Sequence, residues 1–469
     1  MKRLLVGAVV TALLSGCAVG PDFHEPAAPS VTTYRPGETA APTATTAASL
    51  SAEWWTALGS KDLNDAVERA LAHNADLAAA RATLRVAQEQ ARAQRASLWP
   101  TATVDLNVDR QHTADALSPN LNSAQNPYTL RTGQVAVAYA PDLFGGARRA
   151  IESADAQTAY QASEVAAART TLAANVVLAA VQDAALSAEV VTAEQAIAVQ
   201  TDLLALTRRQ RDAGAVSTAV VIQQESALAQ QQAALPALRK QREQNRDAWA
   251  TLMGGVPAST VLPTITLAAL TVPVVPVLVP SQLVAARPDI RAASALLHAA
   301  SANVGVALAA QLPQLSLTAT LGRTTDATSA LLGSAGRFWD LTGDLAQPIF
   351  QGGALRHRRR AAEAALDAAK AQYRSTVLGA FQNVADVLWA LDEDTRALDA
   401  AVTIETTAQQ TWDLVKRQVA AGDSARSAAL QAQSAWLSAH INRLSAEATR
   451  LSDTVALYQA LGGGWASTP

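Results

Sequence analysis

Cys17 is the only thiol in this 469-residue sequence, and it stands in the stretch "LLSGCAVG" among small residues. A thiolate is a nucleophile toward acyl and disulfide donors. With no second cysteine, a disulfide within the chain is excluded. Six histidines, His24, His73, His112, His298, His357 and His440, are scattered without metal-ligand spacing. "LGGGW" at 461–465 is glycine-rich, but it follows a helical pattern and opens none, unlike a phosphate-binding loop. No enzyme, metal or cofactor is expected.

The surroundings of Cys17 give its thiol a setting. Lys2 and Arg3 precede an apolar run over 4–14, then come Ser15, Gly16 and Cys17. This is the layout of a secretory signal, and the run is shorter than the roughly 20 apolar residues of a membrane-spanning helix. "LSGC" resembles a bacterial lipobox, in which cleavage before the cysteine leaves it to carry acyl chains. More than one chain makes such an anchor stable. Ala18 follows, without the aspartate that often retains lipoproteins in the inner membrane, so an outer-membrane address is favoured.

Composition narrows the class further. Lys and Arg number 37 against 40 acidic residues, a net charge of −3, so there is no footprint for nucleic acid. "RHRRR" at 356–360 is expected to be a solvated helix start. Beyond the N-terminal run, no segment approaches ~18 uninterrupted apolar residues. A membrane span would therefore be built from strands.

The most informative pattern is duplication. Asp76 and Pro100 recur as Asp289 and Pro313 within two similar stretches beginning at Asn74 and Arg287. "PDLFGG" from Pro141 corresponds to "PIFQGG" from Pro348, and "RQRDAG" ending at Gly214 to "RQVAAG" ending at Gly422. Both copies close on paired glycines, Gly254-Gly255 and Gly462-Gly463. Each copy predicts helix, strand, loop, strand, long helix, turn and shorter helix. The first helix is expected over 63–98 and the return helix over 218–253, kinked at Pro236. The long helix from Gly146 to Gly214 would extend about 100 Å at 1.5 Å per residue. From Leu172 through Val176, Ala179, Asp183, Leu186, Val190, Ala193, Ile197 and Gln200 to Leu204, a 4-3 spacing predicts a coiled-coil seam.

Four stretches alternate apolar and polar residues: "TATVDLNVD", "GQVAVAYA", "QLSLTATLG" and "FWDLTGDLA". Strands with lipid on one side and water on the other must have this pattern. Four strands cannot close a barrel, and an open edge is not tolerated in lipid, so the chain must oligomerise. A trimer gives 12 strands and a dimer 8, and spacing alone does not choose. Trp99, Tyr139, Phe338 and Trp339, near strand ends, fit an interfacial girdle.

Together with "CAVGPDFHEP", "EWWTALGSKDLNDAVERALAHNADLAAARA" and "ARPDIRAASALLHAASANVGVA", these motifs resemble the TolC-like outer membrane factor family. The likeness is to its lipoprotein branch, the outer-membrane channels of tripartite multidrug efflux pumps of the resistance–nodulation–division (RND) type. The resemblance implies an α+β membrane protein: an outer-membrane β-barrel of four strands per protomer, 12 in a homotrimer, continuous with a long periplasmic α-helical coiled-coil barrel. It implies a periplasmic adaptor (membrane fusion protein), an inner-membrane RND pump and outer-membrane lipid as partners. The domain organisation that follows is a signal peptide over 1–16, an N-terminal linker or wrap over 17–52, a first repeat over 53–255, a Pro/Val-rich connector over 256–280, a second repeat over 281–464 and a tail over 465–469.

The resemblance also carries roles to residues. Arg209, Gly214 and Ser217 match the first hairpin turn of the family, and Arg417 and Gly422 the second, at the tip that meets the adaptor. Asp423 matches a position often acidic at the tunnel's narrow end, where three copies would form a pore constriction. The sequence departs from the family at Ala215 and Asp423, where a larger apolar residue commonly follows the glycine, and at Ala425, opposite Ser217. A channel for secreted proteins and a lipid-anchored periplasmic coiled-coil scaffold are the alternatives. The scaffold leaves the four strands without a use.

Overall fold

The computed structural model describes residues 18–27, 31, 33–36, 51–112, 114, 127–273, 284, 287–326, 333 and 336–463. Cys17, most of the linker and the C-terminal tail lie outside them. The chain forms two compact units, and each draws on both repeats. One contains 84–161 and 293–373 with the described part of 1–26, and the other contains 27–83, 162–292 and 374–469.

The elements follow the repeat. In the first copy they are α1 (Lys61–His73), α2 (Ala75–Arg95), β1 (Thr101–Gln111), β2 (Tyr128–Tyr139), α3 (Gly146–Asp212) and α4 (Thr218–Leu252). In the second they are α5 (Pro288–Ala309), β3 (Gln314–Thr325), β4 (Arg337–Ala346), α6 (Ala354–Ala421) and α7 (Arg426–Ala460). The helix expected over 63–98 is instead two helices, broken at Asn74. Asn74 has extended backbone, φ −66° and ψ 128°. Its Oδ1 accepts from the Leu77 N–H at 2.9 Å, while its own amide donates to the Leu252 carbonyl at 3.1 Å. A short side chain that satisfies a helix start ends the preceding helix and caps the next. In the second copy Pro288 opens α5 at the position where a missing N–H costs nothing. Asp76 and Asp289 both lie in a first turn, where their charge complements the helix dipole. The return helix α4 runs unbroken through Pro236.

The strand unit is a single sheet in the order β1-β2-β3-β4, antiparallel throughout, with β1 and β4 at the edges. All four strands lie where the alternation placed them. The helical unit holds the largest buried side chains. Trp54 and Trp55 are buried at the start of the folded body, and Trp54 stacks on Tyr458 at 4.8 Å. The seam along α3 is wider than its 4-3 spacing predicts. Leu172, Val176, Asp183, Leu186 and Val190 are buried as expected, but so are Ala173, Val177, Ala180, Val181 and Ala184. Small side chains let several helices approach α3 at once. Stretches of α3 and α5 are apolar and long enough to cross a membrane by length and composition, and 61% of the α3 stretch is buried inside the protein.

Candidate functional site

Three features follow from this arrangement: a two-faced sheet, two hairpin turns and a docked N-terminal segment.

The register resolves the two faces of the sheet. Val104 pairs with Val135, Val135 with Leu321, and Leu321 with Trp339, so these side chains share one face. That face is exposed: Leu106 is 83% accessible, Leu341 71% and Trp339 74%. Apolar groups held this far out of any core need a non-aqueous neighbour. The other face is polar. Asp105 pairs with Gln134, Thr132 with Thr324, whose hydroxyls lie 3.0 Å apart, and Thr320 with Asp340. Phe338 departs from the expected girdle. It pairs with Gly322 and so lies on the polar face, opposite to Trp339. Its ring fills the space above Gly322, where an added Cβ would lie 2.7 Å from the ring.

The hairpin turns are two copies of one hydrogen-bonding pattern. At the first, the Gly214 N–H donates to the Arg211 carbonyl (2.8 Å) and the Ala215 N–H to that of Gln210 (2.8 Å). At the second, Gly422 donates to Val419 (3.1 Å) and Asp423 to Gln418 (2.8 Å). This is the Schellman closure, with glycine in the left-handed conformation at φ 72° and φ 84°. Nothing lies within 4 Å of where a Cβ would stand on either glycine, so backbone conformation alone selects glycine there. Ser217 begins α4 with extended backbone (φ −79°, ψ 160°), but its hydroxyl makes no capping bond. Ala425 does the same for α7 at φ −78° and ψ 146°. The backbone carries the entry, which is why alanine serves opposite serine. Arg209, Arg417 and Asp423 are all exposed at the turns.

Pairs that sequence spacing cannot reveal stiffen each hairpin. In the first, Gln200 donates to Gln224 at 2.7 Å and Arg208 bonds Glu225 at 2.7 Å. Buried Asp183 lies 3.5 Å from Arg242 and 3.4 Å from Arg246, and burial pushes its carboxyl up against the pull of both cations. In the second, Glu405 holds His440 at 2.6 Å and Arg443 at 2.5 Å, and Trp412 stacks on Trp436 at 4.9 Å. Val199 and Leu203 of α3 pack with Leu430 and Leu437 of α7, which joins the two hairpins.

The N-terminal segment is fastened in both units. In the strand unit, buried Arg149 bonds Asp22 at 2.6 Å, Glu152 at 2.8 Å and the Val19 carbonyl at 3.2 Å. The Arg149 guanidinium holds the Asp22 carboxyl below the usual carboxylate range. Phe23 stacks on His298 at 4.3 Å. In the helical unit, Arg35 pairs with Asp392 at 2.5 Å and lies over the Trp389 ring. Val19, Asp22, Phe23 and Arg35 are thus each tied to the folded body. Among the described residues, no group of three or more His, Cys, Asp or Glu could hold a metal ion.

Comparison with known proteins agrees with this geometry. The family model described as outer membrane efflux protein matches residues 66–255 and 279–463. The antibiotic efflux pump outer membrane protein ArpC of Pseudomonas putida is 30% identical over 99% of this chain and 96% of its own. The pyoverdine export outer membrane protein OpmQ of the same species is 32% identical over 94% of both chains. Among solved structures, the outer-membrane channel OprN superposes with a TM-score of 0.82 at 28% identity, covering 96% of this chain and 100% of that one. An exposed apolar sheet face, a polar opposite face and paired helical hairpins are what these channels require, and the chain belongs to the outer membrane efflux protein family, as an outer-membrane channel that extends into the periplasm.

Proposed function

We propose that three copies of this chain close their sheets into a 12-stranded barrel, forming the exit duct of a tripartite efflux system. The observation that carries the reading is a sheet with two faces of opposite character and two unpaired edges, β1 and β4. In a bilayer such edges must pair, and pairing with copies of the same chain removes every edge. The apolar face then meets lipid and the face with Asp105 and Asp340 lines water. The names of the relatives span antibiotic efflux and pyoverdine export, so the cargo is read as small organic compounds. An inner-membrane RND pump and a periplasmic adaptor complete the system. The adaptor contacts the turns that carry Arg209, Gly214, Ser217, Arg417 and Gly422, and three Asp423 carboxylates ring the pore. Cys17 carries the lipid anchor.

Planar-bilayer recording of the purified oligomer tests this reading. Wild-type protein is expected to migrate as a heat-sensitive, SDS-resistant trimer and to give cation-preferring conductance. Asp423→Asn is expected to lower the cation preference, because a ring of like charge focuses potential at the constriction. Arg417→Ala is expected to raise resting conductance modestly, since exposed polar contacts are worth only about 0.2–1 kcal/mol. Absence of conductance from SDS-resistant oligomers would return the scaffold reading. Cys17→Ser is expected to end incorporation of labelled acyl chains, and unchanged labelling would remove the anchor.

A further inference from the structure

The two edge strands of the sheet are flanked by large apolar side chains that the chain itself leaves bare. Just before β1, Trp99 is 73% accessible, and just after β4, Ile349 is 95% and Phe350 87% accessible. Both places are held by the fold. The Trp99 N–H donates to the Ala96 carbonyl at 3.0 Å, and its backbone is extended at φ −112° and ψ 150°, the region preferred before a proline. After β4, the Gln347 side-chain amide donates to the Gln311 carbonyl at 3.0 Å, which ties the connector to the residues that follow α5.

Duplication makes this exposure informative. "PDLFGG" from Pro141 and "PIFQGG" from Pro348 are the same strand-to-helix junction in the two copies. In the first, residues 18 and 19 lie over it. The Val19 N–H donates to the Phe144 carbonyl at 3.0 Å, and an added Cβ on Gly145 would stand 2.5 Å from the Ala18 Cα. In the second, Gly352 has the same left-handed backbone, φ 59° against 79°, but nothing lies within 4 Å of its added Cβ. Asp142, which pairs with Arg148, is matched by Ile349, and Leu143 by Phe350. The junction left bare is thus the more apolar one, and it calls for a cover from outside the chain.

The edges say which cover. β1 has 11 residues and β4 has 10, and through three antiparallel pairings they run in opposite directions. A full-length antiparallel match between β4 of one copy and β1 of the next sets Thr101 opposite Ala346. The faces agree, because Thr101 shares the polar face with Asp105, and Ala346 shares it with Asp344. Continued past the strand ends, this register brings Trp99 opposite Pro348 of the neighbouring copy, with Phe350 as its diagonal neighbour. Such neighbours are about 7–8 Å apart, within reach of aromatic side chains. Counted in twos, Trp99 keeps step with Asp105 and Phe350 with Asp344, on the side away from lipid.

We propose that Trp99 of one copy packs against Pro348 and Phe350 of the neighbouring copy, an aromatic clasp that locks the seam between copies where the sheet gives way to helices. The inference rests on the edge pairing of three copies proposed above. Within one chain the two halves of the clasp flank opposite edges of the sheet, so each clasp takes two copies. Trp99, expected in an interfacial girdle, has a protein neighbour here in place of headgroups.

The test uses the full-length chain carrying Cys17→Ser, which leaves it without a thiol. Trp99→Cys and Phe350→Cys are introduced singly and together, and the purified oligomers are treated with a bis-maleimide linker that spans about 8 Å, the diagonal separation. The double variant is expected to give covalent dimers and trimers on boiled denaturing gels, and each single variant none. Absence of cross-links from double-variant oligomers that form normally overturns the proposal. A bimane probe on Phe350→Cys that is quenched by doxyl-labelled lipid in nanodiscs also overturns it, by naming hydrocarbon as the cover. In the otherwise unmodified chain, Trp99→Ser and Phe350→Ser are each expected to lower the dissociation temperature of the SDS-resistant oligomer by several degrees. Their combination should lower it no further than the larger single change, because either one removes the same contact. Additive losses would separate the two residues and reject the clasp. Failure of the unmodified chain to form an SDS-resistant oligomer would instead strike the edge pairing, and the clasp with it.

Discussion

The two helical hairpins have nearly the same lengths and the same turn, yet they are buried very differently. The first pairs a 67-residue helix with one of 35 residues, and the second pairs 68 with 35. Within the helical unit, α3 exposes a single large hydrophobic side chain, Val191, whereas α6 exposes Leu378, Trp389, Val402, Ile404 and Leu414. At 100° per residue, Leu378, Trp389, Ile404 and Leu414 fall within about a quarter turn of one another. Duplication has kept the backbone plan and reassigned the faces. One copy supplies the inner packing of the chain, and the other leaves an apolar stripe exposed. The difference is a property of side chains alone.

The sharpest way to break this comparison is to place a charge on each hairpin. Val177 on α3 is fully buried. Val177→Asp is expected to destabilise by about 4 kcal/mol or more, since an unpaired buried carboxylate belongs to the most damaging class of change. Loss of folded protein by circular dichroism and protease resistance checks it. Ile404→Glu together with Leu378→Glu is expected to leave the fold intact and abolish the SDS-resistant oligomer. Ordinary assembly of that double variant would mean the stripe on α6 is not an interface.

The glycines sharpen the comparison at the next level. Gly254 ends the first hairpin with φ 73°, and an added Cβ would stand 2.4 Å from the His73 carbonyl oxygen. Gly214 and Gly422 share the left-handed backbone but have open space around them. Alanine at either tip glycine should cost about 1–2 kcal/mol, the conformational term alone. Gly254→Ala should cost more, because the clash is added to it. Equal losses at all three positions, measured by chemical denaturation, would show that packing around Gly254 yields without cost.

Much of this was legible in the sequence because the relevant signals are local or repeated. Strand alternation placed all four strands, and the recurring "RQ…G" motif placed both turns. The break at Asn74 was missed because Asn74 stands in an otherwise helical pattern, and what decides it is a bond to Leu252 on a distant helix. Phe338 was misassigned because nearness to a strand end says nothing about which face a ring takes. The register answers that, with Gly322 as its partner. Glu405, His440 and Arg443 came together only through the pairing of α6 with α7.

The smallest expected effect concerns acid. Asp394 of α6 faces Asp453 of α7, and burial together with that neighbour raises its carboxyl to about 6. An unfolded aspartate titrates near 3.9. Between those values the folded hairpin holds a proton that the unfolded chain has released. Stability from this group is therefore fully present below about pH 4, declines as pH rises through about 6 and is flat beyond. Asp394→Asn removes the titration, so the variant should gain on wild type as pH rises from 4 to 6 and stay ahead at neutral pH. In the first hairpin burial likewise raises the Asp183 carboxyl, even against the pull of Arg242 and Arg246, so Asp183→Asn should also gain on wild type as pH rises. Thermal midpoints of both variants measured at pH 4, 5, 6 and 7 give the signs directly. Shifts of opposite sign at pH 7 would mean that the pull of Arg242 and Arg246 outweighs burial at Asp183 and that the contrast between the hairpins extends to their carboxylates.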